Sequence, residues 1–335
     1  MPHPFHPRHW LRELTARRAE WRDRRRVDDR PSAAARWGPP ERSAASRPLL
    51  RPSRAGAQSG AFSESALRRA WRRVQANGGG AGVDGVDIAA YEQRLDDELA
   101  TLGHELRTGT YRPRPVRRIF VPKAGEGLRP LALWALRDRV AQRSVYDLME
   151  PLFDGQFLTC SHGFRPGRSV QTAVRAVVAA RDAGNGWVVD TDIKDCFDSL
   201  DSAILLALVK RRVKDRRLID LVRRWLDVRV LDAHGRLVAA GAAQGGSLSP
   251  LLCNIYLNAF DQAMLRHGIP LVRYADDFVC LQPRRADAER ALSLAGAELA
   301  SLKLQLHPTK TRVVHFDDGF KFLGYFFVRR EHYPL

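Results

Sequence analysis

Cysteine is scarce in this chain: four stand in 335 residues (Cys160, Cys196, Cys253, Cys280), and no two form a C-x-x-C pair. That spacing argues against a zinc site and a disulfide framework and fits a reducing compartment. Long apolar runs are missing as well. No stretch approaches the roughly 18–20 unbroken apolar residues of a membrane span. The opening Met1-Pro2-His3-Pro4 lacks the short apolar run of a signal peptide, so the expectation is a cytoplasmic protein with no membrane partner. Acid is in deficit, with 38 Asp and Glu against 55 Lys and Arg, a net charge of +17. Only seven of the basic residues are Lys. Genomic base composition explains Arg over Lys, but not the excess of base over acid, which points to a polyanion and first of all to nucleic acid. What the chain does have is 44% hydrophobic residues, enough to bury a sizeable core and to exclude global disorder.

Residues 1–60 differ from the rest. They carry 14 Arg, 6 acids and 8 of the 19 Pro and read as a flexible basic N-terminal arm that either touches RNA or is a solvated leader. Order is expected from Ser63. Leu67, Ala70, Trp71 and Val74 recur at helical spacing before Gly78-Gly79-Gly80. Asp87 caps a second expected helix with Ile88, Tyr91, Leu95, Leu99, Leu102 and Leu106 on one face, ended by Gly109. Strands at 115–123 and 129–136 flank a Gly-rich hairpin tip, and helices are expected at 137–149 and 169–182. From Trp187 the pattern is a strand, helices from about 200, a hairpin around Gly235, a helix at 249–266 and a hairpin over 271–281. A helix at 286–302 and two short strands close it. Helices mixed with mostly antiparallel strands make the fold class α+β.

Two acidic clusters carry the chemistry. Tyr274-Ala275-Asp276-Asp277 sits in an apolar hairpin. Burying adjacent carboxylates there is costly through repulsion and desolvation, and a hard divalent cation offsets that cost. An exposed turn that happens to contain two acids is the competing reading. In the strand beginning at Trp187, Asp190 and Asp192 lie two apart and share a face. One acid from this strand and one or two from the 274–277 hairpin, on adjacent strands, would make a two-metal site for phosphoryl transfer. Asp198 and Asp201 read as cap and turn residues.

These residues, taken in order, resemble the bacterial reverse transcriptases, above all the group II intron type and its CRISPR-associated relatives. The resemblance runs from about residue 70 to 327. Tyr274-Ala275-Asp276-Asp277 is similar to the polymerase catalytic box, and Asp192-Ile193-Lys194 with Phe197 to the first catalytic strand. Gln244-Gly245-Gly246-Ser247-Leu248-Ser249-Pro250 is similar to the Q-G-G-x-x-S-P signature, with Ala243 where Pro is common. Gly163–Ser169 resembles a further intron-type signature, and 304–310 and 322–325 resemble the last two palm motifs.

The resemblance implies a right-hand polymerase, with fingers over 61–186 and a palm over 187–335 built on a ferredoxin-like sheet. It implies an RNA-directed DNA polymerase that extends a primer 3′-hydroxyl with dNTPs on an RNA template. Asp192, Asp276 and Asp277 would bind two Mg2+ ions, or Mn2+. Asp190 fits that role less well, and Asp277 less well than Asp276, because strand neighbours point to opposite faces. Lys123 and Arg129 would clamp the incoming triphosphate, and Phe197 would exclude a 2′-hydroxyl. Gln244 and Gly245 would let backbone approach template and nucleotide, with the next helix capped by Ser249-Pro250. Lys310 would donate a proton to pyrophosphate, and Arg165 and Arg168 would contact phosphates. Phe322, Leu323, Gly324 and Tyr325 would grip the primer strand, itself DNA or RNA. Ten residues follow Tyr325, too few for the helical thumb the family normally carries. The expectation is a thumb absent or truncated, or supplied with an integrase function by another polypeptide. A group II intron, CRISPR spacer acquisition and phage defence are the settings left open. The rival functions are a non-catalytic, maturase-like RNA-binding protein and another two-metal enzyme such as a nuclease.

Overall fold

The structure, a computed structural model, describes residues 60, 62–122, 128–232, 236–239 and 245–335. The basic arm, Lys123 with the hairpin tip, and Gln244 lie outside the described residues. The first helix, α1 (Glu64–Asn77), begins where Ser63 accepts a hydrogen bond from the Ala66 amide and ends at Gly78, whose φ of 66° is left-handed. It buries Leu67, Ala70, Trp71 and Val74 as the spacing requires, with Trp71 stacked on Tyr91.

The single helix expected from Asp87 to Leu106 is two: α2 (Ile88–Gln93), capped by Asp87, and α3 (Leu95–Thr108), broken apart at Arg94. Asp96, Asp97 and Glu98 fill the first turn of α3, where negative charge complements a new helix N-terminus. Strands β1 (Val116–Pro122) and β2 (Leu128–Leu133) form the hairpin, followed by α4 (Leu136–Phe153), which runs past its expected end and across Pro151. Helix α5 (Val170–Asp182) opens with a capping box of Ser169 and Thr172.

Strand β3 (Trp187–Asp192) leads to α6 (Cys196–Ser199), α7 (Ser202–Lys210) and α8 (Arg216–Leu226), three helices where the sequence suggested two. Asp201 caps α7, as expected. Strands β4 (Arg229–Leu231) and β5 (Leu237–Ala239) follow. Strand β4 pairs in parallel with β1 in a sheet ordered β2-β1-β4-β5, so this sheet draws strands from both sides of residue 187.

Helix α9 (Ser249–Arg266) departs from expectation at its start. Leu248, not Ser249, is the N-cap, Ser249 is the first helical residue, and Pro250 falls in the first turn, where its missing N–H costs nothing. The Leu248 amide donates instead to Gln142 Oε1 at 3.4 Å. Strands β6 (Leu271–Tyr274) and β7 (Asp277–Gln282), helix α10 (Arg285–Ser301) and β8 (Arg312–His315) complete a sheet ordered β6-β7-β3-β8. Every pairing in it is antiparallel. Read from the other edge, the strands run fourth, first, third, second, which is the order of the β-α-β-β-α-β ferredoxin-like unit. Instead of two closing strands there are four, the last three being β9 (Phe320–Phe322), β10 (Tyr325–Val328) and β11 (Glu331–Pro334) in a separate sheet.

The ferredoxin-like sheet is buried on both faces. Val189, Phe278 and Cys280 pack with Ala291, Ala295 and Leu299 of α10. Val188, Val279 and Leu281 alternate to the other face and meet Val174 and Val177 of α5 and the phenylalanines of the last sheet. The four cysteines are free. Among the described residues no helix is long and apolar enough to cross a membrane.

Candidate active site

The polar residues of this two-sided sheet are concentrated at the strand ends. Asp192, last in β3, lies directly opposite Asp277, first in β7. Opposed residues of an antiparallel pair face the same way, so both carboxylates share a face with Asp190, two residues back. Asp277 therefore stands with Asp192 rather than turned from it. Asp276 occupies the two-residue turn with Ala275, whose φ of 58° is left-handed. Positive φ at the first turn position is the habit of primed hairpin turns, and in a residue other than glycine it stores strain.

Asp190, Asp192, Asp276 and Asp277 line a cleft of about 580 Å³ together with Lys310, Arg312 and Lys321. The His307 amide donates to the Asp192 carbonyl at 2.8 Å. That bond carries the following loop across the end of β3 and places Lys310 Nζ 2.6 Å from Asp192 Oδ2. Arg312 forks onto Asp190 Oδ2 at 2.9 and 2.7 Å. Burial pushes the Asp277 carboxyl up to about 8, and the charges of Asp192, Asp190 and Asp276 push the same way. Asp190 is raised by burial and drawn back by Arg312.

Among the described residues no three acidic, His or Cys side chains are gathered into a finished metal cage. The donor chemistry fits a hard divalent cation all the same. Four carboxylates line one cleft, burial and then the neighbouring acids raise the Asp277 carboxyl, and every carboxylate donor is an oxygen.

A buried polar network stands behind the turn. Arg273 is fully buried against an equally buried Asp261, with Nη2 to Oδ2 at 2.6 Å. Burial pulls down the guanidinium pKa, but Asp261 more than restores it, and the net direction is upward. Arg273 also exchanges backbone hydrogen bonds with Cys160 and His162. The sequence gives little hint of this role, because an Arg in a strongly basic chain reads as surface charge. Gly163 fits against the turn so closely that a Cβ there would lie 2.5 Å from the Ala275 amide nitrogen.

Beyond the turn lies a second, larger groove of about 950 Å³, lined in part by Arg73, Arg143, Phe164, Gly245 and Tyr274. Phe164 is half exposed and its ring lies 6.0 Å from that of Tyr274. Arg73 and Arg143 both pair with Asp147. Of the expected phosphate contacts, Arg165 is consumed internally: its guanidinium bonds Asp154 and the carbonyls of Leu158 and Ser161, with only 8% of the side chain exposed. Arg168 donates to the Thr159 carbonyl.

The nucleotide-site expectations fare unevenly. Lys123 and Gln244 lie outside the described residues, and Arg129 is described only in its backbone pairing with Val121. Gly245 has a φ of 112°, and a Cβ on it would sit 2.5 Å from the Ala132 carbonyl oxygen. Its close approach is to β2, within the protein. Phe197 is half-buried against the main core and is not part of the acidic cleft lining. At the expected primer grip, Leu323 and Gly324 form a two-residue turn with φ of 52° and 75°, Tyr325 pairs with Phe322, and Phe322 is buried. Lys321 reaches the cleft from this hairpin, a neighbour that motif matching passed over.

The ferredoxin-like sheet thus carries carboxylates at the end of its first strand and in its central hairpin. The chain belongs to the reverse transcriptase (RNA-dependent DNA polymerase) family, whose model matches residues 121–327. It is 36% identical over 289 residues to Protein YkfC of Escherichia coli K12, covering 74% of this chain and 76% of that one. It is 30% identical over 243 residues to the Group II intron-encoded protein LtrA of Lactococcus lactis subsp. cremoris, covering 70% of this chain but 40% of LtrA. A telomerase structure from Candida albicans shares the fold with a TM-score of 0.51 at 14% identity, over 72% of this chain and 50% of that one.

Proposed function

We propose that this chain is an RNA-directed DNA polymerase, extending a primer 3′-hydroxyl with dNTPs on an RNA template. The observation that carries the proposal is the pairing of Asp192 with Asp277 beside Asp276 in one acidic cleft. Asp192, Asp276 and Asp277 would hold two Mg2+ or Mn2+ ions. When bound, such ions supply charge neutralisation for phosphoryl transfer and ease deprotonation of the attacking hydroxyl. Lys310, held at Asp192, is the residue to donate a proton to the leaving pyrophosphate. Phe197, on the short helix after β3, is the residue to exclude a 2′-hydroxyl. Lys123 and Arg129 would clamp the triphosphate, and Lys321 would join the 322–325 hairpin in holding the primer strand.

The relation to a group II intron-encoded protein favours an intron setting and supports a second reading, RNA binding without synthesis. Primer extension on an RNA template separates the two. Incorporation of dNTPs that requires Mg2+ or Mn2+ supports the polymerase. Tight RNA binding with no incorporation in either metal supports the binding protein.

A further inference from the structure

Arg273 precedes the catalytic turn by two residues and is sealed from solvent. Its guanidinium has five N–H donors, and five contacts account for them. Nε donates to Asp261 Oδ1 at 2.7 Å. Nη1 donates to Asn254 Oδ1 at 3.0 Å and to the Ala275 carbonyl at 2.8 Å. Nη2 donates to Ser161 Oγ at 2.9 Å and to Asp261 Oδ2 at 2.6 Å. Asn254 in turn donates from Nδ2 to the Gly163 carbonyl at 2.8 Å. One side chain thus ties together the 160–163 loop, helix α9 and the turn that carries Asp276.

A buried ion pair adds little net stability, because desolvation offsets most of the attraction. What it does supply is direction. The Ala275 carbonyl is held by the guanidinium, and Gly163 lies so close to the turn that a Cβ on it would meet the Ala275 amide nitrogen at 2.5 Å. Ala275 sits in a left-handed conformation that an L-residue keeps only when its surroundings impose it.

We propose that Arg273, with Asp261 and Asn254, is a positioning residue that locks the strained Ala275-Asp276 turn, so that Asp276 and Asp277 hold their places opposite Asp192. This rests on the polymerase reading for its consequence in catalysis, but not for its structural part. The test uses Asn254→Ala and Ser161→Ala, which each remove one acceptor without stranding a charge. Amide hydrogen exchange over 273–278 and steady-state single-nucleotide extension are measured on each full-length variant.

For Asn254→Ala the expected result is exchange over 273–278 faster by about tenfold or more, with β3 and α10 unchanged. Extension should show kcat down by about tenfold and KM for dNTP changed less than about twofold, the pattern of lost geometry rather than lost binding. Ser161→Ala should follow with a smaller effect, since Nη2 keeps Asp261. Exchange that stays at wild-type rates, or rises uniformly across the protein, overturns the proposal, as does failure of both variants to fold. If the wild-type protein extends no primer, the polymerase reading falls, and the exchange measurement still decides whether Arg273 locks the turn.

Discussion

At the scale of single residues, the candidate site was legible where a residue violated its surroundings. Two adjacent acids inside an apolar hairpin, and two acids at period two on an apolar strand, drew attention because burial makes them costly. The structure brings Asp192 and Asp277 face to face and adds Lys310 and Lys321 to the same cleft. Arg273 was not legible, because nothing in a chain with 55 basic residues marks one of them as buried. Gly163→Ala should be disproportionately harmful. Its Cβ would meet the Ala275 backbone nitrogen at 2.5 Å, and backbone cannot turn aside as a flexible side chain can. Extension should fall by at least about tenfold while the melting temperature drops by only a few degrees. Wild-type kinetics in a folded Gly163→Ala would contradict that contact. Phe197→Ala tests sugar selection: rNTP use relative to dNTP use should rise about tenfold, equivalent to about 1.4 kcal/mol between the two transition states. Equal loss of dGTP and GTP incorporation would leave Phe197 as core packing alone.

At the scale of elements, helices with strong caps and a clear apolar stripe were legible, as α1 and α5 show. The break at Arg94 was not, since the stripe from Ile88 to Leu106 runs through it and only the acids at 96–98 mark a second start. The parallel pairing of β1 with β4 was out of reach, because it joins segments more than a hundred residues apart and short strands carry no mark of their partner. Near this junction Asp138 is buried, accepting from the Tyr111 hydroxyl at 2.5 Å and the Arg114 amide at 3.0 Å. Trp225 of α8 donates to the same Tyr111 hydroxyl.

Burial pushes the Asp138 carboxyl up to about 6, with the Tyr111 and Arg114 hydrogen bonds opposing. The folded value lies above the unfolded value of about 4, so between those limits the native state binds more protons. This group's contribution to stability is therefore greatest below pH 4 and is lost as pH rises through 6. Asp138→Asn lacks the ionisation. The stability advantage of wild type over the variant should narrow by up to about 3 kcal/mol between pH 4 and 6.5, on the order of two pKa units. Denaturant titrations at several pH values read this directly, and a gap that stays constant or widens would contradict it.

At the scale of the whole molecule, the excess of base, +17 over the chain, suits the polyanion that the proposed function requires. Residues 1–60 hold 14 Arg and 6 acids, a net of +8. Removing them should weaken RNA binding and make its dependence on salt shallower, because fewer counterions are released. Unchanged affinity and slope would show that the arm takes no part. On the proposed function, Asp192, Asp276 and Asp277 make the palm a working polymerase site. The most direct test is single-turnover extension of a primer on an RNA template by wild type and Asp276→Asn, with RNA binding measured on the same preparations. Wild type should add dNTPs only with a divalent ion present, and Asp276→Asn should lose extension by at least about a thousandfold while its RNA affinity stays within about twofold. Substantial extension by Asp276→Asn, or none by wild type in either Mg2+ or Mn2+, would contradict it.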